Sequence, residues 1–356
     1  MTRSTENPWL ARYALFTAFS TLVLICVGGL VTSHGVGMAV PDWPNTFGYN
    51  LFFFPISQWV GGIFYEHTHR LVASYVGLLT TILAIWLWLK ESRKWLRWMG
   101  VLALAAVVLQ GVLGGLRVVL IKDELGIFHG TIAHLFLTLL ALIALFTHAR
   151  WQRFWKTRKI LRDTANLRFA FLTITIMIFT QLILGATMRH QHAGLAVPDF
   201  PLAHGRIWPA TDPDSIAQYN RSRMEVRALN PITAFQVHLH MGHRVLALGI
   251  LVGITAAMWR SSRSLGPRHP VTRICMIWFG LILGQLFLGV ATVWTGKSAD
   301  IATAHVAVGA LSLMTGTLAT VFAFQALGSG NGRTLSRFPS HDGTDAWFRP
   351  GPAAAR

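Results

Sequence analysis

Glu66-His67-Thr68-His69-Arg70 is the stretch of this chain best suited to chemistry. An apolar run opens behind it at Leu71, and the loop before it, His34 to Tyr65, has no Lys or Arg. A second copy, His240-Met241-Gly242-His243-Arg244, heads another apolar run. Three helical residues turn by about 300°, so Glu66 shares a face with His69, and His240 with His243. Ionisable clusters at the mouth of a membrane helix are costly and mark a functional site by default. His129 and His305 open two further apolar runs. Paired imidazoles on facing helices of a bundle hold haem iron through two axial bonds. A single histidine at a helix mouth is more often hydrogen-bonded or interfacial than a ligand, but two matched pairs reverse that balance. Imidazole without thiolates or a carboxylate set suits haem iron, copper or zinc. His134 competes with His129, and about 140° of helix keeps the two from sharing one metal. Arg70 and Arg244 are candidates to pair with haem propionates, or to snorkel to the headgroups. His67, His238 and His240 are candidates for support.

The elements that position these residues are apolar spans. Of the 356 residues 53% are hydrophobic and 13% charged, which argues for a polytopic membrane protein over a soluble domain. The net charge of +17 sits between the apolar runs, so topology explains it better than nucleic acid does. Eight runs are long enough to cross a bilayer: 13–33, 71–89, 96–119, 125–147, 169–188, 245–259, 274–294 and 301–326. The second and sixth are expected to begin earlier, near Glu66 and Ile232. Basic residues crowd the connections at 90–97, 150–168 and 260–273, so the positive-inside rule puts these and both termini in the cytoplasm. The rule is weaker in the loop from His190 to Pro231, where Asp212 to Glu225 reads as a short surface helix. Cys26 and Cys275 lie inside apolar runs and read as small buried hydrophobes. The expected fold is all-α: eight transmembrane helices in two tandem, parallel four-helix bundles related by a pseudo-two-fold axis.

The chain repeats itself. Ala39-Val40-Pro41-Asp42-Trp43-Pro44 returns as Ala196-Val197-Pro198-Asp199-Phe200-Pro201, an offset of 157. His69-Arg70 returns as His243-Arg244 at 174, Gln110…Gly114 as Gln285…Gly289 at 175, and His129 as His305 at 176. His134 would align with Ala310, which favours His129 as the ligand. The Pro-Asp stretches read first as turns and second as lids. The organisation expected is a first half over 1–165, a second over 166–327, and a disordered cytoplasmic tail over 328–356. The halves differ at one telling position: Glu66 stands where the other copy has His240. A carboxylate beside a haem can act as a base or stabilise developing positive charge. One half therefore reads as a reaction chamber and the other as a fixed redox centre.

Over residues 10–326 the chain resembles the haem A synthase family of bacterial and mitochondrial inner membranes. The resemblance is carried by Glu66-x-x-His69-Arg70, by Gly28-Gly29 leading to Pro41-Asp42-Trp43-Pro44, and by His243-Arg244 and His305. It implies oxidation of a porphyrin methyl group of haem O to the formyl group of haem A, for use by respiratory oxidases. It places the substrate haem on His69 and His129, haem b on His243 and His305, and the chemistry on Glu66. The partners implied are a haem O synthase, an electron acceptor or donor (a quinone or a redox protein), the lipid bilayer and, as a further option, a second copy of the chain. Many members carry a cysteine pair in the first outer loop, where this chain has Met38 and Val40. A di-haem cytochrome b and a membrane haem carrier are the alternative readings.

Overall fold

The structure, a computed structural model, describes residues 7–157, 160–222 and 231–328. Among the described residues, eight helices are long and apolar enough to cross a membrane: α1 (Pro8–Ser33), α2 (Gly61–Lys90), α3 (Lys94–Val119), α4 (Leu125–Thr147), α6 (Leu167–His190), α8 (Ala234–Leu265), α9 (Pro270–Trp294) and α10 (Ala299–Ala326). Two short helices, α5 (Ala149–Thr157) and α7 (Pro213–Arg221), lie in the connections.

Local chemistry sets the helix starts. Asn7 caps α1 through its side-chain oxygen, with Pro8 in the first turn, where its missing N–H costs nothing. Thr233 and Gln236 form a reciprocal capping box on α8. Consequently α2 and α8 begin well before their continuous apolar runs, and the ionisable clusters lie inside the helices. Helix α5 was not expected from the charge run that encodes it. Its Trp151 is buried against Phe146 and Phe322, an amphipathic use of a basic connection. Gly328, assigned to the tail by composition, forms with Leu327 a short parallel strand pair against Leu161–Arg162. The rest of the expected tail, 329–356, lies outside the described residues, as do 223–225 of the expected surface helix.

The helices close two rings. In the first, α1 and α3 each pack on α2 and α4. In the second, α6 and α9 each pack on α8 and α10. The rings meet where α10 packs on α1 and α4, and α4 on α6. Each ring has its own apolar core, one around Leu83, Leu87 and Leu140, the other around Phe171, Ile254 and Trp278. Within a membrane, close backbone approach substitutes for the hydrophobic drive between helices. Gly316 of α10 provides one such approach, with the Trp278 indole lying where its Cβ would be.

The two Pro-Asp loops fold alike. Asp42 accepts the backbone N–H groups of Phe47 and Gly48, both at 2.8 Å. Asp199 does the same for His204 and Gly205, at 2.7 and 2.8 Å. Both loops pass through the left-handed region at matched positions, Phe47-Gly48 and His204-Gly205. Burial disfavours the two carboxylates' charged forms, but the paired N–H groups more than offset it and hold both below the usual range. In the second loop His204 also stacks on Tyr219 of α7, ring centroids 3.6 Å apart.

The depressed Asp42 and Asp199 carboxylates stabilise the loops above the ordinary Asp value of about 4. That contribution is lost as pH falls through the lower folded value. We expect the Phe47 and Gly48 amides to stay protected from hydrogen exchange at neutral pH and to open only on strong acidification. Asp42→Asn should open them at neutral pH, and unchanged protection in that variant would contradict the assignment. In the second core, Gly316→Val should cost about 1–3 kcal/mol by overpacking against Trp278. Thermal unfolding of the purified protein reads this directly, and an unshifted midpoint would mean that the indole moves aside freely.

Candidate functional site

Helix α2 carries Glu66, His69 and Arg70 about one and a half to two and a half turns in from its start at Gly61. Glu66 is only 3% exposed, and both of its oxygens are used. Oε1 accepts Nη2 of Arg70 at 2.8 Å, and Oε2 accepts the Val40 N–H at 2.9 Å. The Arg70 guanidinium then grips the first loop, donating to the carbonyls of Asp42 (2.6 Å), Asn45 (2.8 Å) and Val40 (2.8 Å). Arg244 grips the second loop in the same way, through Asp199 (2.7 Å), Leu202 (2.9 Å) and Val197 (3.4 Å). Each arginine thus ties its helix to a Pro-Asp loop. A guanidinium fork meets several carbonyls at once, and a loop with inward carbonyls needs such a donor.

The imidazoles face one another across each ring. His69 of α2 and His129 of α4 stand on one diagonal, with ring centroids 6.5 Å apart and planes at 79°. Two imidazoles sharing one metal, each at about 2 Å, place their centroids about 6 Å apart. His134 instead bonds the Gly130 carbonyl of its own helix through Nδ1 at 2.6 Å and is buried. In the second ring His243 of α8 and His305 of α10 occupy the same diagonal and interact electrostatically.

Glycines on the other diagonal make the space. A Cβ on Gly28 of α1 would stand 2.9 Å from Cε1 of His69, and one on Gly114 of α3 3.4 Å from that of His129. Gly185 of α6 and Gly289 of α9 do the same for His243 and His305, at 3.4 and 3.1 Å. In all four histidines Nδ1 is buried without a hydrogen-bond partner. Each residue nonetheless stays partly accessible from the gap between the helices. Among the described residues no three His, Cys, Asp or Glu side chains converge as a metal cluster. A bare zinc or copper ion would lack ligands here. A metal that brings its own equatorial ring needs only two imidazoles, so the donor set fits haem.

Other expected residues fall into place around this. His67 is buried between Phe54 and Trp59 and contacts Thr46 Oγ1 at 3.1 Å, a loop-packing position. His240 is buried beside the Ala193 backbone. His238 is exposed on α8. Trp43 of the first loop lies on Gly115, the neighbour of Gly114 on α3, and so covers that end of the first site. Phe200, its counterpart, meets Trp294, with centroids 6.4 Å apart.

Two arginines that sequence reasoning passed over stand at the seam between the rings. Arg117 of α3 donates to Asp123 at 2.6 Å, and His190 and His192 also approach that carboxylate, each at 3.4 Å. His190 and Arg117 hold the Asp123 carboxyl well below the usual range, against the opposing effect of burial. Arg189 of α6 crosses to the first ring and donates to Ser33 Oγ at 2.6 Å and to the Gly29 carbonyl. Arg117 lies one turn beyond Gly114, which faces His129, and Arg189 one turn beyond Gly185, which faces His243. Nε of both arginines is buried without a partner. A signal for them existed: each breaks the internal repeat, standing where the other half has Thr292 and Thr32.

Comparison with known proteins supplies a family. The family model described as cytochrome oxidase assembly protein matches residues 48–317, a span that includes all four facing histidines. A protein named "Heme A synthase" from Alkalihalophilus pseudofirmus is 28% identical over 316 residues, covering 85% of this chain and 95% of the relative. Proteins of the same name from Geobacillus kaustophilus and Bacillus cereus are 27% and 28% identical over 303 residues, covering 82% and 83% of this chain and 84% and 86% of the relatives. A family match over most of the chain, including both histidine pairs, makes this protein a member of the COX15-CtaA family of cytochrome oxidase assembly proteins.

Proposed function

We propose that this chain is a haem A synthase, an oxidoreductase that converts the porphyrin methyl group of haem O to the formyl group of haem A by successive hydroxylation. The observation that carries the reading is one difference between two otherwise matched sites. One turn before the facing histidine, the first ring has the carboxylate of Glu66 and the second has His240. In this reading His69 and His129 hold the substrate porphyrin, and His243 and His305 hold a resident haem b. Iron centres bound there would supply one-electron redox chemistry.

The residues of the chain do the rest. Glu66 lies on the face of α2 that carries His69, fixed by Arg70 and the Val40 N–H. Each carboxylate oxygen keeps a second lone pair, so Glu66 can accept a proton or oppose positive charge developing on the reacting carbon. Arg70 and the first loop close that end, with Trp43 over Gly115. Arg117 and Arg189, whose Nε groups are buried without a partner, are in this reading the guanidinium groups that meet the porphyrin carboxylates. Electrons leave to a quinone or a redox protein, and a haem O synthase supplies the substrate. The bacterial relatives argue for a bacterial cell-membrane location, and the distribution of Lys and Arg for both termini in the cytoplasm.

Glu66→Gln keeps size and hydrogen bonding and removes the charge. We expect it to retain bound haem O while conversion falls on the order of a hundredfold, for a loss of about 3 kcal/mol. Extraction and chromatography of haems from cells expressing the variant with a haem O source measure this. Wild-type levels of haem A would make Glu66 a loop anchor only. His243→Ala and His305→Ala should each remove one low-spin haem from the reduced-minus-oxidised spectrum, and an unchanged spectrum in both would remove the haem b assignment.

A further inference from the structure

The four facing imidazoles are seated alike but braced unequally. Each packs on a glycine, and for three of them a glutamine stands one helical turn before that glycine: Gln110 before Gly114, Gln181 before Gly185, Gln285 before Gly289. Gln110 and Gln181 donate Nε2 to the backbone carbonyls of His129 and His243, at 3.0 and 2.9 Å. Gln285 lies against the His305 ring, Nε2 to Nε2 at 3.5 Å. The Oε1 atoms of all three amides are buried without a partner, as are the Nδ1 atoms of all four imidazoles. Before Gly28, which faces His69, the same position is Leu24. Leu24 is partly buried in the first apolar core, on the face of α1 that carries Gly28.

We propose that His69 is the exchangeable one of the four ligands, and that Leu24 is the positioning residue that makes it so. The proposal rests on the haem A synthase reading. A metal-bound imidazole donates its second ring N–H to an acceptor, which fixes the ring and raises its basicity, and loss of that partner weakens binding by about 10- to 100-fold. In the proposal the buried, unpartnered oxygens of Gln110, Gln181 and Gln285 take up that acceptor role for three of the imidazoles when the porphyrin is bound. Leu24 offers His69 none. A site that turns over must take in and release a porphyrin in each cycle, whereas a redox site must keep its own. Leaving one ligand of the turnover site unbraced meets the first need without loosening the second.

The test uses the full chain in detergent, carrying its haems, mixed with excess apomyoglobin as a haem acceptor. Chromatography of the haem left on the protein over time separates the two sites by porphyrin type. Wild type should lose the first-ring porphyrin on the order of tenfold or more faster than haem b. Leu24→Gln should slow that loss by about tenfold or more, and Gln181→Leu should speed loss of haem b by a similar factor. Leu24→Met, similar in volume but without an acceptor, should behave as wild type. Equal slowing by Met and Gln would overturn the proposal in favour of packing. So would wild-type release from Leu24→Gln with haem b intact, or unchanged haem b release from Gln181→Leu. If Leu24→Gln fails to fold, seen as loss of haem b, the Gln181→Leu result decides. The same chromatograms separate this idea from the one beneath it: haem b at both sites defeats the synthase reading, while equal release rates from two different porphyrins defeat only the exchangeable ligand.

Discussion

Everything at the centre of this protein depends on an imidazole lying against a glycine of a neighbouring helix. Gly28, Gly114, Gly185 and Gly289 each give up a side chain so that His69, His129, His243 and His305 can occupy the gap. Any larger residue at Gly28 would stand within van der Waals distance of the ring it faces. The histidines and glycines take opposite diagonals of each four-helix ring, so neither diagonal closes on itself. Lipid gives helices no hydrophobic reason to associate, and small residues permit the contacts that hold such rings together. The same small residues create the space for the cofactor, so packing and binding are one constraint here.

At the loop end the logic is electrostatic. Arg70 and Arg244 each collect three loop carbonyls that would otherwise face a low-dielectric environment unpaired. Asp42 and Asp199 collect the opposing N–H groups. Donors and acceptors within each loop are therefore satisfied locally, and the loops are built as caps with little freedom to swing. Between the rings the balance is different. Arg117 and Arg189 bring two guanidinium groups near the histidines with one nearby carboxylate, Asp123, to offset them. Buried cations without matching anions are costly, and an anionic ligand at the seam removes that cost.

Duplication makes the departures informative. Where both halves agree, in the loop nests, the loop-gripping arginines and the glycine-faced histidines, they share one architecture, and in the proposed function its task is holding a porphyrin. Where they disagree, at Glu66 and His240, Leu24 and Gln181, Arg117 and Thr292, Thr32 and Arg189, the difference belongs to what one site does and the other does not. Each half serves as the internal control for its partner.

Much of this was legible in the chain alone. Hydropathy over long runs marks helices because a buried backbone must satisfy itself within each span, so eight spans and the all-helical class follow without any tertiary information. The repeat marks the histidines, since copies at near-constant offset keep what both halves need. Other features required the folded molecule. Arg70 and Arg244 read as porphyrin or headgroup partners because sequence records a charge but not which carbonyls come within reach of it. The helix α5 was hidden because a basic run reads as solvated loop until Trp151 is seen to have a buried place to go. Which of His129 and His134 faces His69 is a matter of packing: α4 turns His129 toward His69 and leaves His134 on its own helix carbonyl. Arg117, Arg189 and Leu24 matter through contacts across helices far apart in the chain. Only the packing of one ring against the other, and of one diagonal through the other, brings such residues together, and no local pattern encodes it.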